Sequence, residues 1–589
     1  MTAAAMEFDH EVDVLVAGSG AGGFVTALAA QAEGLDTLIV EKSPVYGGST
    51  AYSGGGSWIP NHPVLVAQGE QDDPETVLRY LINIAGDKVS HERLRCYVEQ
   101  APKMAGFIMS QSHWLRDGFV WYRGYSDYHP DKGGNTRGRG VWPKPIDKRK
   151  LGRDEANMRF RAITRGSDLP KGAWMTSQDY HAMIRMRWGV DRPVVAKTML
   201  RLAVRIARFR LTGERMATSG AALIVRLRLA QQENGIPMWL NSPLTQLITD
   251  GGGNVVGAEV QRDGSLVRVR ARRGVMIATG GFDHNAQMRT RYQPEVEPGW
   301  SSGSEDNTGD GIVAGQTVGG AIDLMDDAWW MPGFLLPPGG IMAVGGILAE
   351  RQYPGQFIVN SAGKRFVSEP APYTDFGRAQ IDGHKTGVSH IPAFMIFDSR
   401  YLERNIIMGR RPGRALGQPF FDAGVAFKAD TMAELAAHIG VPPEQLIETH
   451  ERFNGFARNG VDDDFHRGES AYENYYADPS RPNPNLAPVE SPPFYAIKIV
   501  PGDLGTKGGL VTNEHAQVLR ADGSVIPGLY ATGNSSSAVM GNDYAGPGAT
   551  IGPAMTFGYV GARHMATLDQ DAGEPDETGR QDATHVPSV

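Results

Sequence analysis

Cysteine is almost missing from this chain of 589 residues: Cys96 stands alone. One thiol closes no intramolecular disulfide and builds no cysteine-ligated zinc or iron–sulfur centre. A reducing, cytoplasmic setting is therefore the default expectation. Long apolar runs are missing too. No stretch of 18 or more apolar residues occurs, so no membrane span is expected. The first ten residues include Glu7, Asp9 and His10 and lack an apolar core segment, so no secretory leader is expected. Positive charge is in deficit, with a net charge of -8, so no global field recruits nucleic acid. From Asp569 the chain is acidic with glycine and proline, and 569–589 is expected to be a disordered tail.

Glycine is what the chain has in abundance, at 74 residues. Residues 12–16 form a short apolar strand that runs into Gly18-Ser19-Gly20-Ala21-Gly22-Gly23. An alanine-rich helix over 24–33 and a second strand over 37–40, closed by Glu41, complete a βαβ unit. In the spacing Gly18-x-Gly20-x-x-Gly23 the first glycine permits a tight turn. The second lets backbone approach a pyrophosphate, and the third lets helix pack on strand. The helix N-terminus favours the phosphate charge. Glu41, 18 residues beyond Gly23, is placed to accept hydrogen bonds from a ribose diol. An ordinary glycine turn with an exposed glutamate is the bland alternative.

Later elements favour FAD over NAD. Lys42 and Ser43 follow the acid, and Gly47-Gly48-Ser49-Thr50-Ala51-Tyr52-Ser53-Gly54 offers amides and hydroxyls for a long cofactor. Ala278-Thr279-Gly280-Gly281, Gly309-Asp310 and Gly533-Asn534, with Asn307 and Thr308 before Gly309, are further polar or glycine turns, and Ile551 falls in the first turn of the expected last helix. These residues other than Asn307 and Thr308, with Ser19, Ala21 and Gly22, form the expected cofactor set.

Helices are expected over 71–110 and 178–233, and loop over 125–150. Strands are expected over 239–279 and 498–532, with a final helix over 549–567. The fold class expected is α/β: a Rossmann-like FAD-binding domain interrupted by an inserted α+β catalytic (cap) domain. Its parts are 1–327, with an extra helical segment at about 130–235, then 328–504 for the substrate domain and 505–568 for the second FAD-binding part.

With these elements in hand, the chain resembles the fumarate reductase/succinate dehydrogenase-like FAD flavoproteins. Members of that superfamily that attach FAD covalently carry a histidine after the ribose acid. Residues 47–56 hold none, so non-covalent FAD is expected. The resemblance narrows at Tyr544-Ala545-Gly546-Pro547-Gly548, at Asp503-Leu504-Gly505-Thr506-Lys507, at Tyr125-Ser126-Asp127-Tyr128 and at Ala371-Pro372-Tyr373. Together with Phe394-Met395-Ile396-Phe397-Asp398, these look like the 3-ketosteroid Δ1-dehydrogenases. Ala545, where that family often carries proline, is a departure that leaves Tyr544 and Gly548 correctly spaced.

The resemblance implies roles. The Tyr544 hydroxyl and the Gly548 N–H point at the C3 oxygen, Tyr373 takes the C2 proton, and Tyr128 hydrogen-bonds Tyr373. The C1 hydride goes to the flavin, with base and flavin on opposite faces of the A ring. A phenol of pKa about 10 must fall by about three units to act as base at neutral pH, which needs roughly 4 kcal/mol of selective stabilisation. Tyr125 is expected to be structural. The partners implied are a 3-ketosteroid and an external, quinone-like or other electron acceptor.

Rival readings are a Δ4-(5α)-dehydrogenase, a dicarboxylate reductase and a non-catalytic flavin- or steroid-binding protein. The dicarboxylate reading is disfavoured because residues 504–508 lack histidine. His466-Arg467, beside Asp462, Asp463 and Asp464, reads as a solvated loop.

Compared with shorter family members, the chain has an added stretch within about 130–235. Over 194–211, Lys197, Arg201, Arg205 and Arg208 share one helical face. Met199, Leu202, Ala203, Ile206 and Phe209 lie on the other side. Such a helix can lie in a membrane interface, at the inner face of the membrane in this reading, or pack on protein.

Overall fold

The computed structural model describes residues 7–160, 174–186, 189, 191–337, 340–342 and 347–568. The tail expected over 569–589 lies outside the described residues. The first strand, His10–Ala17, is buried at every position from Val14 to Ala17. A strand covered on both faces must be apolar without alternation, which suits a parallel sheet between helical layers. It pairs in parallel with Thr37–Val40 on one side and Ser265–Ile277 on the other. Val525–Ala531 extends the sheet beyond Ser265–Ile277, and Met238–Trp239 extends it beyond Thr37–Val40. Gln517–Leu519 and the hairpin of Leu244–Thr249 and Val255–Arg262 bring the sheet to eight strands.

Chain ends meet in this layer. The last helix, Ile551–Thr567, packs against the first, Ala21–Ala32, through small residues. A Cβ on Gly558 would lie 2.7 Å from the Gly22 carbonyl oxygen, and one on Gly22 would lie 3.0 Å from that of Ala554. Glycine at both contacts lets the two backbones approach closely.

A second, antiparallel sheet of six strands is built from Ala328–Leu336, Gly340–Met342, Gln356–Val359, Ala393–Asp398, Ala426–Ala429 and Phe494–Thr506. Its strands alternate between two cores. Phe357, Val359, Phe394 and Ile396 join Leu435, Leu446 and Phe453 from the helices Met432–Ile439 and Pro443–Asn459. Ile358, Met395, Phe397 and Ile497 face the main core, as a period of two requires. The helix at 432 starts on a capping box, in which Thr431 and Glu434 satisfy each other's backbone N–H.

Two expectations need correction. Within 125–150, Gly140–Pro143 is a strand, pairing with Ser57–Trp58 and Phe119–Trp121. Its partners are remote in sequence, and its surrounding glycine and proline masked it. The segment at 462–467 is solvated only in part. Arg467 is fully buried with Glu369 at 2.8 Å, and Arg365 bridges Glu369 and Asp462. Asp463, Asp464 and His466 are exposed there, whereas Asp462 and Arg467 are buried. The partners of Arg467 and Asp462 lie about a hundred residues away, so local charge density misread them.

Candidate active site

One cleft of about 1270 Å³ runs between the two sheets' loops and holds both glycine signatures. Every residue of the expected cofactor set lines it except Gly23, Ser43, Gly47, Gly281 and Gly309. Those five stand just behind its wall. Gly47 donates its N–H to the Ser19 hydroxyl at 3.0 Å, and Ser43 donates to Glu41 at 3.0 Å. Gly309, at φ +78°, precedes the helix Asp310–Thr317, and Gly281 lies against Thr506.

The fingerprint glycines divide by what surrounds them. A Cβ on Gly18 would lie 2.2 Å from the Ala278 oxygen, and one on Gly23 would lie 2.0 Å from the Gly18 oxygen. Both are packing glycines. A Cβ on Gly20 would meet only the Thr50 hydroxyl, at 3.7 Å, and would fill space on the cleft side. That open cradle at the N-terminus of Ala21–Ala32 fits a pyrophosphate. Glu41 is held by the Ser19 N–H at 3.1 Å and hydroxyl at 2.5 Å, and it presents its carboxylate to the cleft. Lys42 bridges to Asp310 at 2.7 Å and clamps two separated wall segments together. The donors and acceptors present therefore fit FAD.

Sequence reasoning missed several wall residues. Arg159, a buried side chain, pairs with Asp306 and donates to the Ser43 hydroxyl. Asn307 donates to Ser49 at 2.8 Å. Arg159 follows no recognisable spacing, because it reaches the wall from an unrelated loop, whereas Asn307 belongs to the polar turn that holds Gly309 and Asp310. Asp283 sits behind Asn307, fully buried. Burial and neighbouring Asp503 push its carboxyl up to about 7.

At the other end of the cleft three tyrosines meet. Tyr128, Tyr373 and Tyr544 have ring centroids 5.2–5.5 Å apart, and all are buried. Each comes from a differently fixed segment. Asp127, buried with Arg139 and accepting from the Trp58 indole at 2.8 Å, anchors Tyr128. Tyr373 opens the helix Tyr373–Lys385 after Pro372. Tyr544 follows Asp543, which pairs with His129 at 2.7 Å. Gly548 has φ +97°, and a Cβ there would lie 2.4 Å from the Gly56 carbonyl carbon, so the close approach admits no side chain. Gly548 N–H, the Thr550 hydroxyl and the Tyr373 phenol all neighbour the Tyr544 hydroxyl, whose pKa burial nonetheless raises.

Burial pushes the Tyr373 phenol well above its ordinary value. Tyr544 and Tyr125 add to this, and the Tyr128 hydroxyl opposes it. Tyr125 stacks on Tyr475 at 4.5 Å and on Trp142 at 5.7 Å while also lining the cleft. On its far side Tyr128 borders a second cavity of about 510 Å³, with His129, Asp375 and Asp543. The extra segment contributes too. Met199, Leu202, Ala203 and Ile206 line the cleft, and Arg205 turns inward onto Asp179 at 2.7 Å. The expected four-residue basic face is therefore reduced to Lys197, Arg201 and Arg208, because Asp179 draws Arg205 in.

A dinucleotide cradle joined to a buried tyrosine cluster in one cleft fits an FAD-dependent oxidoreductase. A family profile described as FAD binding domain matches residues 13–551. The 3-oxosteroid 1-dehydrogenase of Mycobacterium tuberculosis is 45% identical over 95% of this chain and 98% of its own. That of Mycolicibacterium smegmatis is 45% identical over 95% and 97%. The crystal structure of 3-ketosteroid Δ1-dehydrogenase from Sterolibacterium denitrificans, in complex with 1,4-androstadiene-3,17-dione, superposes with a TM-score of 0.86 at 36% identity, covering 95% of this chain and 99% of that one. The chain belongs to this FAD-binding family and, within it, to the 3-oxosteroid 1-dehydrogenases.

Proposed function

We propose that this chain introduces the 1,2 double bond of 3-ketosteroids, with non-covalent FAD as oxidant, as a step of steroid degradation. The observation that carries the reading is the meeting of Tyr128, Tyr373, Tyr544 and Gly548 in the same cleft as the dinucleotide cradle. The Tyr544 hydroxyl and Gly548 N–H donate to the C3 oxygen and stabilise charge developing there as the C2 proton leaves. Tyr373 takes that proton, and Tyr128 supports it. Bound FAD supplies the two-electron oxidant that removes the C1 hydrogen with its electron pair. Met331, Leu336 and Leu348 line the cleft and exclude water from the enolate. Among the described residues no histidine or cysteine lines the cleft, in keeping with a non-covalent cofactor.

The finer assignments are part of the same proposal. The acceptor is external, quinone-like or other, since the sequence carries no second dinucleotide fingerprint for a bound nicotinamide. The domains divide at 327 and 504. The setting is cytoplasmic, at the inner face of a membrane. Among the described residues no helix is long and apolar enough to cross a membrane. The helix Arg192–Thr212 supports surface contact, because Val194, Leu200, Val204 and Leu211 are exposed beside Lys197, Arg201, Arg208 and Arg210. An apolar stripe flanked by cations suits an interface of anionic lipid. The test is anaerobic mixing with androst-4-ene-3,17-dione. Flavin bleaching with formation of the 1,4-diene is expected. No bleaching would remove the proposal.

A further inference from the structure

A tyrosine base surrounded by phenols needs a counter-charge, and most cations around this site are engaged. Arg139 pairs with Asp72 and Asp127, Lys507 with Asp327, Arg467 with Glu369, and His129 and Lys132 with Asp543. Arg351 is different. It is fully buried and makes no ion pair among the described residues. Its Nη1 donates to the carbonyls of Glu369 and Ala371, the latter at 3.0 Å, in the segment that runs into Tyr373. Its Cζ lies 5.0 Å over the ring of Phe376, in the first turn of the Tyr373 helix.

The other guanidinium nitrogens, Nε and Nη2, have no hydrogen-bond partner, nor does the hydroxyl of Tyr472. Buried polar atoms are rarely left open, and those that are often mark a catalytic or water-filled seam. The seam leads to the base. Tyr472 lies edge-on to Tyr128 at 4.7 Å, and Tyr128 lies edge-on to Tyr373 at 5.3 Å.

We propose that Arg351 is a positioning residue for the tyrosine base: it fixes the 369–371 approach to Tyr373, and its carboxylate-free guanidinium favours the ionised tyrosine cluster through Tyr472 and Tyr128. This rests on Tyr373 being the base. The Arg351 charge acts most strongly with the Tyr472 phenol, ahead of Glu473, Glu369 and Tyr125. Glu369 is held by Arg365 and Arg467, and Glu473 by Ser368 and Gly468. Asp375, Glu473 and Tyr544 also face Tyr472, while Tyr544 and Tyr125 face Tyr373. His129, Asp375 and Asp543 lie beyond Tyr128. All of these anions and phenols disfavour a phenolate, which leaves Arg351 as the charge that favours one from the Tyr472 side.

The experiment is the pH dependence of kcat/KM in the FAD-loaded enzyme, for Arg351→Met, Arg351→Lys and Tyr472→Phe. The acidic limb reports ionisation of the free enzyme's base. Arg351→Met should move that limb up by about one pH unit or more, with at least about tenfold loss at neutral pH that recovers at alkaline pH. KM should stay within about twofold, and Arg351→Lys should hold the limb near wild type. A loss equal at every pH, or an unmoved limb, would overturn the proposal. If Arg351→Met fails to retain FAD, Tyr472→Phe decides: an upward shift supports the proposal, and a wild-type limb overturns it. Tyr373→Phe in the same assay separates the two readings. Turnover in that variant removes the base itself, whereas its loss alongside an unmoved limb in the other variants removes only Arg351.

Discussion

Replacing Tyr544 by phenylalanine isolates one hydroxyl. The ring lies 4.9 Å from Trp329, 5.2 Å from Tyr128 and 5.5 Å from Tyr373, and all of that packing survives in Tyr544→Phe. What is lost is the one hydroxyl that neighbours the Gly548 N–H, the Thr550 hydroxyl and the Tyr373 phenol. Burial raises the pKa of Tyr544, so the wild-type hydroxyl stays protonated and donating throughout a neutral assay. Gly548 remains as the second donor. Removing one of two preorganised donors to a developing oxyanion costs about 100- to 1,000-fold in kcat, or about 3–4 kcal/mol in the barrier. The same hydroxyl contributes only about 1 kcal/mol to folding. The assay is steady-state kcat and KM with a 3-ketosteroid, alongside FAD content and melting temperature. A fall in kcat of that size, with FAD retained and KM changed only a few-fold, is expected. A loss under about tenfold would refute the donor role, because a transition-state interaction of this type cannot be that weak in a buried site.

Other outcomes follow from the same geometry. Tyr373→Phe should abolish turnover while FAD stays bound, as read from the flavin spectrum and product formation. Gly548→Ala places a Cβ 2.4 Å from the Gly56 carbonyl carbon at φ +97°, so a loss of about 2 kcal/mol or more is expected in chemical denaturation. Asp283 is raised to about 7 by burial beside Asp503, so its folded-state proton is held where the unfolded chain has released it. Stability from this group is complete below about pH 4 and is lost as pH rises through about 7. Asp283→Asn should therefore raise the melting temperature more at pH 8 than at pH 5, and a constant difference would refute the assignment. Leu200→Glu with Leu211→Glu should cut binding to anionic vesicles about tenfold while sparing turnover of dispersed steroid, because both side chains are exposed. Unchanged vesicle binding would remove the membrane contact.

Much of the cofactor site was legible because its signals are local. Gly18 turns the backbone at φ +107° and Gly23 packs on the Gly18 carbonyl, both within one βαβ unit, and Glu41 closes the second strand a fixed distance on. A glycine turn after an apolar strand constrains the backbone wherever the rest of the chain goes. The cap and the apolar face of the Met432–Ile439 helix are local in the same way, both lying between Thr431 and Ile439. The tyrosines were found through likeness to a family, because nothing local distinguishes Tyr128 or Tyr373 from other buried phenols.

Long-range convergence belongs to the tertiary structure. Local sequence placed Arg467 in solvent, and the fold buries it against Glu369, 98 residues away. Arg159 and Arg351 carry no motif, and each gains its place only when separate segments of the chain come together. The helix Arg192–Thr212 shows the division within one element. Its 3.6-residue period determined that it would be amphipathic. Only packing decided that Leu202 and Ile206 line the cleft, that Arg205 turns in to Asp179, and that Leu200 and Leu211 face outward. Sequence determines what a backbone segment can do by its own sterics and periodicity. Which side chains share one site depends on contacts hundreds of residues apart, and only the folded chain brings those together.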